Sequence, residues 1–382
     1  MEFDLSWILL GLPLAFGLGW AASRFDLRQL RIENRQAPKA YFKGLNYLLN
    51  EQQDKAIDAF IEAVQNDPDT SELHFALGNL FRRRGEYERA VRVHEHLLSR
   101  GDIARSDHER AQHALALDYL KAGLLDRAED ALQKLEGTPF EAESRLALLA
   151  IYERSRDWAR ATEVAERLNT SPTATTTQGD FSTRMAHYLC EQARQLDAPS
   201  AAALLDQAMQ TAPQAPRPRI DRAALHTQQG AHAEATRLLL SVAEVAPSAL
   251  PLVARRLADS ATASGHRDKA LDVLHESYTA HPALDVLDAL AVLAPDADAG
   301  RALYVRHLER EPSLVAAAQW IAGEKLEHEQ FHPQVQRALD HAVKPLKRYR
   351  CAACGFEAVQ HFWHCPGCQA WDSYPQRRVE EL

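Results

Sequence analysis

The sequence predicts an all-α chain: a solenoid of paired helices, led by an N-terminal transmembrane helix and closed by a small C-terminal metal domain. Three observations predict it. Nineteen uncharged residues lie near the start, a 34-residue register of small and large positions recurs along most of the length, and four of five cysteines crowd into the last 32 positions. At 382 residues the chain has room for two or three globular domains or for one extended array. A net charge of -9 opposes a surface built throughout for nucleic acid, because phosphate binding needs a positive field. Five cysteines are too few for a disulfide scaffold and fit a reducing compartment.

The first element is Leu5 to Ser23, LSWILLGLPLAFGLGWAAS. As a helix it would be about 28 Å long, close to the ~30 Å hydrocarbon core of a bilayer. Trp7 and Trp20 lie near its ends, where indoles favour the headgroup region, and Pro13 and the glycines are tolerated in lipid. Glu2 and Asp4 precede it, whereas Arg24, Arg28, Arg31, Arg35 and Lys39 follow. The positive-inside bias therefore sets the N-terminus outside and the body in the cytoplasm, and the missing basic n-region argues against a cleaved signal peptide. Residues 1–23 are expected to form a single-pass anchor and residues 24–36 a basic juxtamembrane segment.

The repeat register comes next. Gly44, Tyr47, Ala56, Phe60, Ala63 and Pro68 stand at alternating small, large and helix-stopping positions, and 34 residues on come Gly78, Phe81, Ala90, His94 and Leu97. This resembles the tetratricopeptide pattern. Ala116, Tyr119, Gly123, Ala128 and Leu132 mark a third unit, and Leu149, Tyr152, Ala161, Ala165 and Leu168 a fourth, giving units 1–4 over residues 37–168. The Thr-rich run over residues 169–181 reads as a polar loop. Beyond it, Ala201, Leu205, Ala208 and Pro213 recur as Ala235, Leu239, Val242 and Pro247, then as Ala270, Leu274, Ser277 and Pro282. Gly300, Tyr304, His307 and Pro312 suggest a shortened unit, and Trp320 to Val343 a last helix pair, so residues 182–343 hold units five to eight or nine.

Stacked pairs of this kind build a superhelical solenoid whose first helices line a protein-binding groove. In the second unit Phe75, Asn79, Arg82 and Arg83 are spaced to lie opposite the packing face of Leu77 and Phe81, and they are the candidate groove residues. Cys190, among Tyr188 and Leu189, reads as core.

Residues 344–382 hold Cys351-Ala-Ala-Cys354, followed by Gly355, and Cys365-Pro-Gly-Cys368, with ten residues between the two pairs. Each pair offers two thiolates from one tight turn, and two pairs complete a tetrahedron, so the four cysteines are predicted to hold one metal ion. A full shell leaves no open position for catalysis. Tyr349, Phe356, Phe362, Trp363, Trp371 and Tyr374 supply ring packing for a miniature fold. His361 and His364 are expected beside the site, not in the shell. The turns resemble rubredoxin, which favours iron, although Gln369 after the last cysteine and the short segment between knuckles depart from it. A zinc ribbon suits the same ligands.

An anchor, a tetratricopeptide array and a terminal rubredoxin-type knuckle, in that order, resemble the lipopolysaccharide assembly protein B family over essentially the whole chain. The resemblance implies an inner-membrane adaptor, not an enzyme. It implies that a membrane AAA+ zinc protease and the deacetylase of the lipid A committed step are partners, together with other envelope-assembly proteins, and it makes Cys351, Cys354, Cys365 and Cys368 the metal ligands. Two other readings stay open: a nucleic-acid-binding zinc ribbon, suggested by Lys344, Lys347, Arg348, Arg350, Arg377 and Arg378, and a redox carrier. Homo-oligomerisation also stays open.

Overall fold

The computed structural model describes residues 16–20, 42–67, 69–170, 181–324 and 329–382. Most of the expected anchor, the basic segment, Pro68 and most of the polar loop lie outside the described residues. No helix among the described residues is long and apolar enough to cross a membrane. The chain divides into two compact units, residues 1–151 and residues 152–382.

The first unit is a run of antiparallel helix pairs. Its helices are α1 (residues 42–49), α2 (Gln53–Asn66), α3 (Ser71–Arg84), α4 (Tyr87–Ser99), α5 (Arg105–Ala122), α6 (Leu125–Gln133) and the greater part of α7 (Glu141–Ser155). The register of small and large positions is a packing code. Ala56, Phe60, Ala63 and Ala90 are all fully buried, and a Cβ added to Gly44 would fall 2.8 Å from the Phe60 ring. Only a hydrogen at that position lets the two helices approach so closely.

At the equivalent place in the next repeat, a Cβ on Gly78 would meet the imidazole of His94 at 2.5 Å. His94 is fully buried and cannot swing aside, because its Nδ1 lies 2.5 Å from Asp118 Oδ2. Gly78→Ala is therefore expected to cost about 2 kcal/mol through overpacking, measured as a lowered urea midpoint of the whole chain.

Asp118 is the centre of a polar knot in this unit. Arg82 donates to Asp118 Oδ1 at 2.8 Å and to the Ala114 carbonyl at 3.0 Å, and it also bonds Asn79. This corrects part of the groove assignment. Phe75 is only 1% exposed and packs with Leu97 and Ala111 beneath the Arg110 guanidinium, so it belongs to the core. Helical spacing put it opposite Leu77, but a repeat helix here is covered by neighbours on both sides. Arg82 and Asn79 are committed to the internal knot, and Arg83 alone of the four is exposed.

The second unit continues with α8 (Trp158–Thr170), α9 (Ser182–Ala193), α10 (Ala198–Thr211), α11 (Pro216–Gln228) and α12 (His232–Val245). A 3-10 segment, Pro247–Leu252, leads to α13 (Ala254–Ser264), α14 (Arg267–Ala280), α15 (Leu284–Val292), α16 (Ala297–Leu308), α17 (Leu314–Ala322) and α18 (His332–Val343). Helix α8 runs to Thr170, so Asn169 and Thr170 of the expected loop are helical. The repeat positions Ala235, Leu239, Val242, Ala270 and Leu274 join Leu250, Leu257 and Leu290 in one apolar core. Cys190 is fully buried, and burial pushes its thiol well above the ordinary range, which suits a core residue and not a nucleophile.

A buried histidine in this unit is expected to make its stability depend on pH. Tyr278 Oη lies 2.7 Å from His307 Nδ1, and burial holds His307 below its ordinary pKa of 6.5. The unfolded chain takes up this proton first, so the contribution is complete above pH 6.5 and is lost as pH falls through the lowered folded value. The urea midpoint is expected to drop between about pH 7.5 and about pH 5.5, and His307→Gln to flatten that drop.

Candidate metal centre

The last residues form two cysteine turns and a two-stranded antiparallel sheet, β1 (Tyr349–Arg350) with β2 (Glu357–Ala358). Each turn is built alike. Gly355 N–H bonds the Cys351 carbonyl at 2.8 Å and Gln369 N–H bonds the Cys365 carbonyl at 2.9 Å, which closes each C-x-x-C loop on itself. The residue after each pair is left-handed, Gly355 at φ 78° and Gln369 at φ 60°. Gly355 takes that conformation without strain, whereas Gln369 does not. The departure from rubredoxin noted at Gln369 thus leaves the turn intact.

The four sulfurs all lie within 4.8 Å of one another. Cys351 Sγ and Cys368 Sγ are 3.8 Å apart, and Cys354 Sγ and Cys365 Sγ are 3.7 Å apart. A tetrahedral ion with metal–sulfur bonds of ~2.3 Å requires edges of ~3.8 Å. The donor set fits, and every sequence-predicted ligand is in it. Zinc and ferrous or ferric iron fit this shell alike.

Electrostatics favour the same conclusion. Burial pushes the Cys351 thiol up, but the Ser373 hydroxyl and the N–H groups of Cys354 and Ala353 outweigh it and bring it down to about 6. At Cys354 the Phe356 N–H pulls down, while burial and the three neighbouring sulfurs push the thiol up to about 12. Crowded sulfurs cannot all ionise unaided; a cation at their centre stabilises all four thiolates.

His361 and His364 stay out of the shell. His361 Nε2 is 3.2 Å from the Tyr374 carbonyl, and His364 stacks on Trp371 with ring centroids 4.3 Å apart.

The metal domain is held to the repeat helices of the same unit by three groups of contacts. First, Trp371 stacks on His187 at 4.9 Å and donates from Nε1 to Glu153 at 3.0 Å, among the rings of Trp158 and Tyr188. Second, His187 Nε2 lies 3.0 Å from both oxygens of Asp372, while its Nδ1 faces a guanidinium nitrogen of buried Arg217 at 3.3 Å. Arg217 can only donate, so Nδ1 accepts and Nε2 carries the proton that reaches Asp372.

Third, Arg378 binds Asp285 through two 2.8 Å bonds, stacks 4.2 Å over Tyr349 and donates to the Lys347 carbonyl at 2.7 Å. Beside it, Glu381 accepts from the Leu284 N–H at 2.8 Å, and Glu380 accepts from Leu314 N–H at 2.7 Å and from Ser313 Oγ at 2.8 Å. Helix α15 starts after Ala283, which has no capping side chain, so Glu381 supplies its cap from the far end of the chain. Sequence reasoning missed His187, Asp285, Glu380 and Glu381, and it noted Arg378 only among the basic residues behind the alternative nucleic-acid reading. No sequence signal marks them, because they lie up to 185 residues from their partners.

Comparison with known proteins matches these parts. Residues 349–374 match a family model described as a rubredoxin metal binding domain, and residues 73–109 one described as a tetratricopeptide repeat. Lipopolysaccharide assembly protein B of Escherichia coli K12 is 30% identical over 390 residues, which covers 98% of this chain and 99% of that one. The chain belongs to the lipopolysaccharide assembly protein B family. The Haemophilus influenzae member is 28% identical, covering 96% of each chain. Among solved structures, a Parabacteroides merdae tetratricopeptide repeat protein overlays with a TM-score of 0.35 at 14% identity, over 68% of this chain and 99% of that one. Within this family the four cysteines form a candidate metal site in a rubredoxin-like ribbon, carried by a tetratricopeptide-type array.

Proposed function

We propose that this chain is an inner-membrane adaptor of lipopolysaccharide assembly, which brings the deacetylase of the lipid A committed step to a membrane AAA+ zinc protease. Family membership over 98% of the chain supports the assembly role. The observation that carries the adaptor reading is the docked C-terminal domain: its four cysteine sulfurs converge on one point where they would fill the shell of one ion, and its surroundings are spent on holding a surface against the repeat helices. A closed site of this kind shapes a protein contact and leaves no position for substrate. The ion would be held by Cys351, Cys354, Cys365 and Cys368 and would supply folding energy to residues 349–374. The resemblance to rubredoxin favours iron; metal analysis and an absorption spectrum of natively purified protein decide between iron and zinc.

Anchoring by residues 1–23 would raise the local concentration of adaptor and protease in the membrane plane. The test is the half-life of the deacetylase in cells. Deleting residues 2–23 is expected to lengthen it, and an unchanged half-life would overturn the anchored-adaptor reading.

A further inference from the structure

We infer that the cavity beside the second cysteine turn is a docking site for a partner-protein segment carrying adjacent carboxylates. The cavity encloses about 510 Å³ and is bounded by the turn at Arg156, helices α8, α9 and α11, and residues 360–369. Trp158, Trp363 and His364 give it planar walls. Among the described residues His364 Nε2 has no hydrogen-bond partner.

The charges around it do not cancel. Glu153 is taken by Trp371 and Tyr188, with Arg184 at 3.6 Å, and buried Arg217 takes both Glu191 at 2.5 Å and Asp221 at 3.4 Å. Arg154 and Arg156 line the same cavity, are exposed, and have no carboxylate partner among the described residues. Arg194 reaches only Glu191, at 3.7 Å, a group already held by Arg217. Three exposed guanidinium groups therefore face solvent over a wall whose own carboxylates are spent.

The backbone at Arg156 singles it out. Most of the turns between the two helices of a repeat carry a left-handed residue, and in four of them it is a glycine, Gly85, Gly123, Gly230 or Gly265. Arg156 holds φ 60° there, and Glu51 is the other exception. A side chain in this conformation is strained, and exposed Arg156 gains no packing in return, so the charge itself is what the position retains. Guanidinium forks bind carboxylates in pairs of parallel bonds, and a doubly charged phosphate would be opposed more strongly than a carboxylate by Glu153, Glu191 and Asp221 below.

The inference rests on the chain being a protein-binding scaffold, not on the identity of its partners. An unchanged deacetylase half-life would count against the adaptor reading and leave the result below standing. The test uses the full metal-loaded chain in detergent micelles and the fluorescence anisotropy of a labelled hexaglutamate peptide, with hexaglutamine as control. Binding to hexaglutamate alone is expected, weakening as salt rises. The double variant Arg154→Gln, Arg156→Gly should weaken it by about tenfold or more while thermal stability holds or increases, because Gly relieves the turn. Arg83→Gln, in the other unit, should change nothing. Equal binding by the double variant, or competition by inorganic phosphate or phosphatidylglycerol vesicles as strong as by the peptide, would overturn the proposal.

Discussion

Replacing Cys351 and Cys354 together by Ser is expected to abolish metal binding and unfold residues 349–374. A structural tetrathiolate ion contributes apparent binding energy on the order of 10 kcal/mol or more to a domain of this size. The two short strands and four fully or nearly buried rings and sulfurs, Tyr349, Cys351, Cys365 and Tyr374, are too small a core to replace that. The repeat helices have their own cores and should keep their far-ultraviolet circular dichroism. Loss of metal by elemental analysis, with fast amide exchange confined to the C-terminal domain, is the expected pair of results. Retained metal in the double variant would refute the ligand assignment.

Arg378→Ala should release the domain from the array with the metal still bound. Arg378 and Asp285 are each less than a quarter exposed, and Ala would leave Asp285 partly buried with no cation while removing the stack on Tyr349. A loss of about 3 kcal/mol is expected for such a pair. Arg378→Lys keeps the charge but not the fork and should recover roughly half of it. Protection of the Leu284 and Leu314 amides is the specific readout, since Glu381 and Glu380 cap them only while the tail is docked. If those amides stayed protected in Arg378→Ala, the tail would be held by the Trp371 and Asp372 contacts alone.

Much of the fold was legible because its rules are local. A repeat that must bury one face on the next fixes Gly44 opposite Phe60 and Gly78 opposite His94 at a constant spacing, so the register itself reveals the packing. The cysteine turns are local too: five consecutive residues form each one. The groove face was less legible. Phe75 has the spacing of an exposed residue, yet α3 is flanked on both sides, and helical periodicity records only one of those contacts.

By itself, then, the sequence determined the helix pairs, the close glycine contacts and the four cysteines of the candidate metal site, because each depends on residues that are near in the chain or repeated along it. Only the tertiary structure decided where the metal domain rests. His187 with Asp372, Asp285 with Arg378, and Glu381 with the bare start of α15 are single pairs joined across 185, 93 and 97 residues. A lone distant pair leaves no period or spacing to read, so its partners become visible only when folding brings them together.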